Sequence, residues 1–259
     1  MKRFKLPNVR NIFVPDPGYT IAEVDLSGAD AQVVAWEADD EDLKTAFRKG
    51  DNIHEKNCRD MFGEVLAGRN PRHIVYEGSI GRYTYYDCLK RAVHATNYVS
   101  SARTLAQSLG WPISVAEDFQ SRWLKLHPGI RNWHRRIEHQ LQVERRVENA
   151  WGYRCPFFSR PEGLLPEGLA WIAQSTVAIN CSKGWEVIKN LGSLTIPLMQ
   201  VHDSIVFQYQ NRFELIALCT LKRNLDQITI PYPDPLTIQW ELKTSRESWG
   251  QCEKRDWPA

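Results

Sequence analysis

The chain has no Cys-x-x-C pair, no apolar run long enough to cross a bilayer, no internal repeat and no low-complexity tract. Each absence removes a class. Cys58, Cys88, Cys155, Cys181, Cys219 and Cys252 are scattered. They read as reduced, structural cysteines of an intracellular chain. Without a long apolar run there is no membrane-spanning helix. Met1 to Pro7 also lacks the apolar core of a secretion signal. Charge of one sign is missing too: 33 Lys and Arg against 31 Asp and Glu leave a net +2. Near-neutrality does not exclude a nucleic-acid partner, because local basic faces matter more than the total.

What is present suits one large domain or two small ones with a sizeable core: 259 residues, 42% of them hydrophobic. Ten tryptophans are many for this length, enough for core anchors and for rings that stack on bases. The most informative stretch is Leu198 to Phe207, an apolar run interrupted by His202-Asp203-Ser204. That pattern predicts a β-hairpin of two buried strands whose tight turn carries a carboxylate. Upstream, Thr20 to Leu26 reads as a short strand delivering Asp25 at its end, with a helix immediately after. Ser27 and Asp30 have the spacing of a capping box for that helix. Two strand-end aspartates on one sheet suit a clamp for divalent cations, since Mg²⁺ prefers carboxylate oxygens and substrate phosphates. Two such ions, about 3.5–4 Å apart, can hold the attacking and leaving oxygens of a phosphoryl transfer.

Elsewhere the periodicity predicts helices through Val33–Trp36, through Leu43–Phe47 to a stop at Gly50, and over 53–62 closed by Gly63. A loop follows over 64–81. From Tyr85 to Val99, Leu89, Ala92, Val93 and Thr96 make a buried helical face. Lys90, His94 and Tyr98, at i, i+4, i+8, make a second stripe. A cation, an imidazole and a phenol in line suit a phosphate chain ending in a stacked ring. They equally suit a solvated face with one half-buried aromatic, and spacing leaves both open. A capping box at Ser114–Glu117 opens the next helix, broken at Pro128-Gly129. The helix after it buries Ile130, Trp133, Ile137 and Leu141 and turns out Arg131, Arg135, Arg136, Arg145 and Arg146. That face fits either a nucleic-acid backbone or plain solvent. Residues 147–160 read as a hairpin around Trp151-Gly152, and Pro166 to Asn190 as a long helix. An amphipathic helix on Phe213, Ile216, Leu221 and Leu225 follows, then a half-buried strand on Leu236, Ile238, Trp240 and Leu242. The predicted class is α+β: an antiparallel sheet backed by helices and interrupted by a helical insertion.

Four blocks in order resemble the polymerase core of family A DNA polymerases, the DNA polymerase I family, and its bacteriophage members most. Leu6–Phe13 is similar to the segment leading into the palm, and Asp25–Gln32 to motif A. Lys90–Tyr98 with Arg103–Ala106 is similar to motif B, and Gln200–Asp203 to motif C. Gly152–Arg154 and Gln174–Ala178 resemble segments facing primer and template. The resemblance implies palm over 1–45, fingers over 46–147 and palm again over 148–259. It implies Asp25 and Asp203 as catalytic metal-binding carboxylates, helped by the Leu26 carbonyl, for two Mg²⁺ with Mn²⁺ as a substitute. It implies Asp30, Lys90, His94 and Tyr98 around an incoming dNTP, and Arg154, Gln174 and His202 on primer–template DNA. The cytoplasm of a bacterium or phage-infected cell is the implied location.

Departures from the family pattern are specific. Asp30 stands where Glu is usual, His94 where Lys is usual, Val99 where Gly is usual, and Ser204 where motif C ends in Glu. The second tyrosine of motif B is not evident. The chain begins almost at the first block, leaving no room for a thumb or an exonuclease. The expectation is a split enzyme whose partner chain supplies them, or a minimal fragment. The alternative is a non-catalytic nucleic-acid-binding replisome subunit derived from a polymerase. A metal-dependent nuclease would need more acidic groups near Asp25 and Asp203.

Overall fold

A computed structural model describes residues 7–78, 80 and 83–258. Leu6 of the first block, the residues before it, and Ser79 and Gly81 of the expected loop lie outside the described residues. In chain order the elements are β1 (Tyr19–Leu26), α1 (Ala29–Glu37), α2 (Glu41–Arg48), α3 (Ile53–Leu66), α4 (Tyr85–Asn97), α5 (Ala102–Leu109), α6 (Ile113–Leu126) and α7 (Pro128–Glu144). Then come β2 (Arg146–Glu148), β3 (Arg154–Pro156), α8 (Leu165–Asn190), β4 (Thr195–Val201), β5 (Ser204–Gln210), α9 (Glu214–Leu225), β6 (Trp240–Ser245) and β7 (Glu253–Arg255). The expected α+β class is what forms. Among the described residues no helix is long and apolar enough to cross a membrane.

The chain forms two compact units, one of residues 1–29 with 175–259 and one of residues 30–174. The first is built on an antiparallel sheet of order β4-β5-β1-β6-β7. Its central strands are buried because both faces are covered: Ile21, Ala22, Val24, Ile205, Val206 and Phe207 have no exposed surface. The hairpin forms as the sequence predicts, with Val201 paired to Ser204 across a turn of His202 and Asp203. Of its two strands only β5 is buried, up to a half-buried Gln210. β4 lies at the sheet edge, and its Ile196 and Leu198 are 38% exposed. On α8, Gly184 admits the Trp240 indole: a Cβ there would stand 2.6 Å from Cη2. Strand β6 starts at Trp240. Leu236 and Ile238 are buried ahead of it, and Leu236 bridges to Ile230 instead. On α9 the inner stripe is Ala217, Leu218, Leu221 and Leu225, while Ile216 is 59% exposed.

The second unit is helical. Trp123, Trp133, Ile130 and Leu141 are its fully buried anchors, and the Trp123 indole donates to Asn97 Oδ1 at 2.8 Å. The β2–β3 hairpin forms around Trp151-Gly152. Helix α3 does not stop at Gly63. It distorts at Phe62 (φ −129°, ψ 16°), continues to a buried Leu66 and closes on a left-handed Ala67. Tertiary burial of Leu66 outweighs the local cost of a helical glycine. Helix α6 begins at Ile113 behind Pro112, so Ser114 lies inside it and caps nothing. Proline's fixed φ prepares that start without a side-chain cap.

Candidate active site

In the sheet unit, β1 and the β4–β5 turn bring Asp25 and Asp203 to one edge. Asp25 pairs with Ser204 in the β1–β5 register, and the Leu26 amide donates to the Asp203 carbonyl at 3.3 Å. Burial raises the Asp25 carboxyl above its ordinary range. The charge of Lys243 opposes that rise and the charge of Asp203 adds to it. Two carboxylates that repel each other through a half-buried edge are a donor set suited to hard divalent cations. Ser204 contributes no carboxylate; its hydroxyl donates to the Val201 carbonyl at 2.9 Å. His202 is exposed and left-handed, at φ 55°. Helix α1 opens at Ala29, and the hydroxyl of Ser27, two residues ahead, donates to Glu241 Oε1 at 3.3 Å.

Residues that periodicity did not single out surround Asp25. Glu23 and Asp25 project from the same face of β1, because side chains alternate along a strand. Lys243 lies directly across from Glu23 and Glu241 across from Asp25. The Lys243 ammonium donates to Glu23 Oε1 at 2.7 Å and to Asp25 Oδ2 at 3.2 Å. Glu23 is 5% exposed and also accepts from the Trp249 indole, with Arg10 at 4.0 Å. Burial alone would raise its carboxyl. The hydrogen bonds from Lys243 and Trp249 and the charges of Lys243 and Arg10 outweigh that and hold it below the ordinary value. Alternation along β6 put Glu241 and Lys243 on a polar face, but only the β1–β6 register shows what that face meets.

In the helical unit, α4 opens on a capping box in which Thr84 accepts from the Asp87 amide and Asp87 accepts from the Thr84 amide. The stripe of Lys90, His94 and Tyr98 lies along α4, with Tyr98 at its C-cap. Lys90 and His94 are exposed. The Tyr98 phenol donates to Asp30 Oδ1, and His94 Nε2 is 3.8 Å from Asp30 Oδ2. The His94 and Tyr98 ring centroids are 4.8 Å apart. Three of the four expected nucleotide residues therefore form one cluster. Arg154 on β3 is exposed and pairs with Glu148 at 2.6 Å, and Gln174 is exposed on α8. Three arginines of the α7 region have partners in the same unit. Arg136 donates to Glu37, Arg145 to the Ser159 carbonyl and Arg146 to Glu144. A second acidic group, Asp40, Asp42 and His127, gathers its ligand atoms within 4.8 Å. Its groups are already engaged. Asp40 caps α2 through the Leu43 amide and meets His127 Nδ1 at 3.1 Å, while Asp42 pairs with Lys56 at 2.6 Å.

Comparison with known proteins gives the family of the chain. The family model for DNA polymerase family A matches residues 2–245. A thermostable DNA polymerase I of Thermus filiformis is 28% identical, over 95% of this chain and 29% of the relative. The DNA polymerase of Mycobacterium phage D29 is 25% identical, over 96% of this chain and 38% of its own. This chain thus spans about a third of the length of those relatives. The POL domain of Pol1 from M. smegmatis, solved in complex with DNA primer-template and dNTP, superposes with a TM-score of 0.77 at 19% identity. That match covers 94% of this chain and 42% of that one, and it speaks to the fold. With the family model spanning nearly its whole length, the chain belongs to DNA polymerase family A.

Proposed function

We propose that the chain is a template-directed DNA polymerase core that adds nucleotides from dNTPs to a primer 3′-hydroxyl. The observation that carries this reading is that β1 and the β4–β5 turn bring Asp25 and Asp203 to the same end of the sheet, in the segments that resemble the family's motifs A and C. The two carboxylates and the Leu26 carbonyl would hold two Mg²⁺, which when bound supply charge neutralisation for phosphoryl transfer. The primer 3′-oxygen bonds to the α-phosphorus, the α–β bridging bond breaks, and pyrophosphate leaves. Lys90 and His94 would hold the triphosphate. Tyr98, braced by Asp30, would stack beside the base and sugar. His202 would meet the primer terminus, and Arg154 and Gln174 the primer–template backbone. For Arg154 this requires giving up or sharing Glu148. The same reading assigns palm to 1–45 and 148–259 and fingers to 46–147. It places the reaction in a bacterial or phage-infected cytoplasm, with or without a partner chain that adds a thumb or exonuclease.

The test is single-nucleotide incorporation on a labelled primer–template with Mg²⁺ or Mn²⁺, using Asp25→Ala and Asp203→Ala as controls. Templated incorporation by the wild type alone supports the proposal. Binding of primer–template without incorporation, both by the chain alone and with the neighbouring gene's product added as a candidate partner chain, sinks it. That second outcome belongs to a non-catalytic replisome subunit. The features that favour this subunit are the Ser204 hydroxyl, turned back on its own turn, and Lys243 seated on Asp25.

A further inference from the structure

Lys243 has an unusual position. Its ammonium lies between two carboxylates of one strand, closer to Glu23 (2.7 Å) than to Asp25 (3.2 Å). Glu23 is fixed from its other side. The Trp249 indole donates to Oε2, Arg10 stands 4.0 Å from the same oxygen, and the Arg10 guanidinium lies 4.4 Å over the Trp249 ring. Glu23 is therefore a buried anchor with no freedom to turn toward the edge. Lys243, held by that anchor, keeps Oδ2 of Asp25 occupied and leaves Oδ1 as the oxygen free for another partner.

We propose that Lys243 is a positioning residue that restricts Asp25 to one-oxygen coordination and so makes the metal site select against Ca²⁺. The proposal rests on the reading of Asp25 as a metal ligand. Its physical basis is the difference between the two ions. Mg²⁺ demands a small octahedral shell, keeps several waters and accepts single carboxylate oxygens. Ca²⁺ takes more oxygens at longer distance and gains from both oxygens of one carboxylate. An ammonium on Oδ2 withholds the second oxygen, which penalises Ca²⁺ more than Mg²⁺. Its positive charge also lowers affinity for every divalent ion, a cost that a bare Asp25–Asp203 pair would not carry.

The experiment is Mn²⁺ binding to the full chain followed by electron paramagnetic resonance, with Mg²⁺ and Ca²⁺ as competitors and no DNA or nucleotide present. In Lys243→Met the Asp25-dependent Mn²⁺ site should tighten about tenfold as the repelling charge is removed, and Ca²⁺ should gain on Mg²⁺ as a competitor by a similar factor. Because Lys243→Met strands a buried carboxylate, the double variant Glu23→Gln with Lys243→Met is measured beside it and should behave the same way. Lys243→Arg, which keeps the cation, should restore the wild-type preference. An equal gain for all ions, no gain in either Met variant, or Mn²⁺ binding that ignores Asp25→Ala would each overturn the proposal. Primer extension is scored separately. Altered selectivity without extension removes the polymerase reading and leaves this one standing, and extension with unaltered selectivity does the reverse.

Discussion

The phenol of Tyr98 donates its hydrogen to the carboxylate of Asp30, 68 residues earlier in the chain. The bond joins the C-cap of α4 to the first turn of α1 and sets the orientation of an aromatic ring that packs against His94. Tyr98→Phe removes the donor and leaves Asp30 with His94 alone at 3.8 Å. The expected loss of stability is about 1 kcal/mol, typical of one hydrogen bond. If Tyr98 lies beside the incoming sugar, as family resemblance implies, Tyr98→Phe should also discriminate more strongly against dideoxynucleotides. The ratio of dideoxy to deoxy incorporation measures this, and an unchanged ratio would remove Tyr98 from the nucleotide.

His202 is held at φ 55° in the hairpin turn, a conformation that costs a non-glycine residue roughly 1–2 kcal/mol. Strain of this kind gathers where a side chain has a task. His202→Gly should leave the urea midpoint unchanged or raise it, because relief of strain offsets the extra chain entropy of glycine. Primer extension by the same variant should slow. A clear loss of stability would instead make His202 a structural turn residue.

Gly184 on α8 faces Trp240 so closely that a Cβ would come within 2.6 Å of Cη2 and 2.8 Å of Cζ2. Both atoms belong to a rigid, buried ring, so neither can swing aside. Gly184→Val should cost about 3 kcal/mol, at the upper end for overpacking. The near-ultraviolet circular dichroism of the tryptophans should change with it. Gly184→Ala should show the same sign at smaller size.

His54 on α3 has its imidazole pushed down from 6.5 to about 4, first by burial and then by the nearby charges of Lys90 and Arg72. Its Nδ1 is buried without a partner. Between these two values the unfolded chain binds the proton and the folded chain does not. The stability contributed by a neutral His54 is therefore complete above about pH 6.5 and declines as the pH falls toward 4. Thermal melts across that window should show a slope that His54→Gln reduces. An identical slope in both proteins would place the acid sensitivity elsewhere.

Much of this molecule is local, and local features were readable. The His202-Asp203 turn between β-rich flanks, the stripe on α4, the breaks at Gly50 and Pro128 and the hairpin at Trp151-Gly152 all follow from turn chemistry and periodicity within a few residues. Where reading failed, either distant packing overruled a local signal or one local signal overruled another. Leu66 carried α3 past Gly63, and Pro112 started α6 ahead of Ser114. The α9 stripe turned so that Ile216 faces out, and β7, a three-residue edge strand with no apolar pattern, went unseen.

The sequence by itself determined the α+β class, the order of the motifs and the two strand-end aspartates, because short-range patterning and residue identity specify them. Only the tertiary structure decided that Glu23 and Lys243 stand opposite each other across β1 and β6. Those residues are 220 positions apart, and strand alternation says which face a side chain takes but not which strand will lie beside it. Register, set by the burial of Val24, Leu242 and their neighbours, brings the ammonium to Asp25, a contact to which no local pattern pointed.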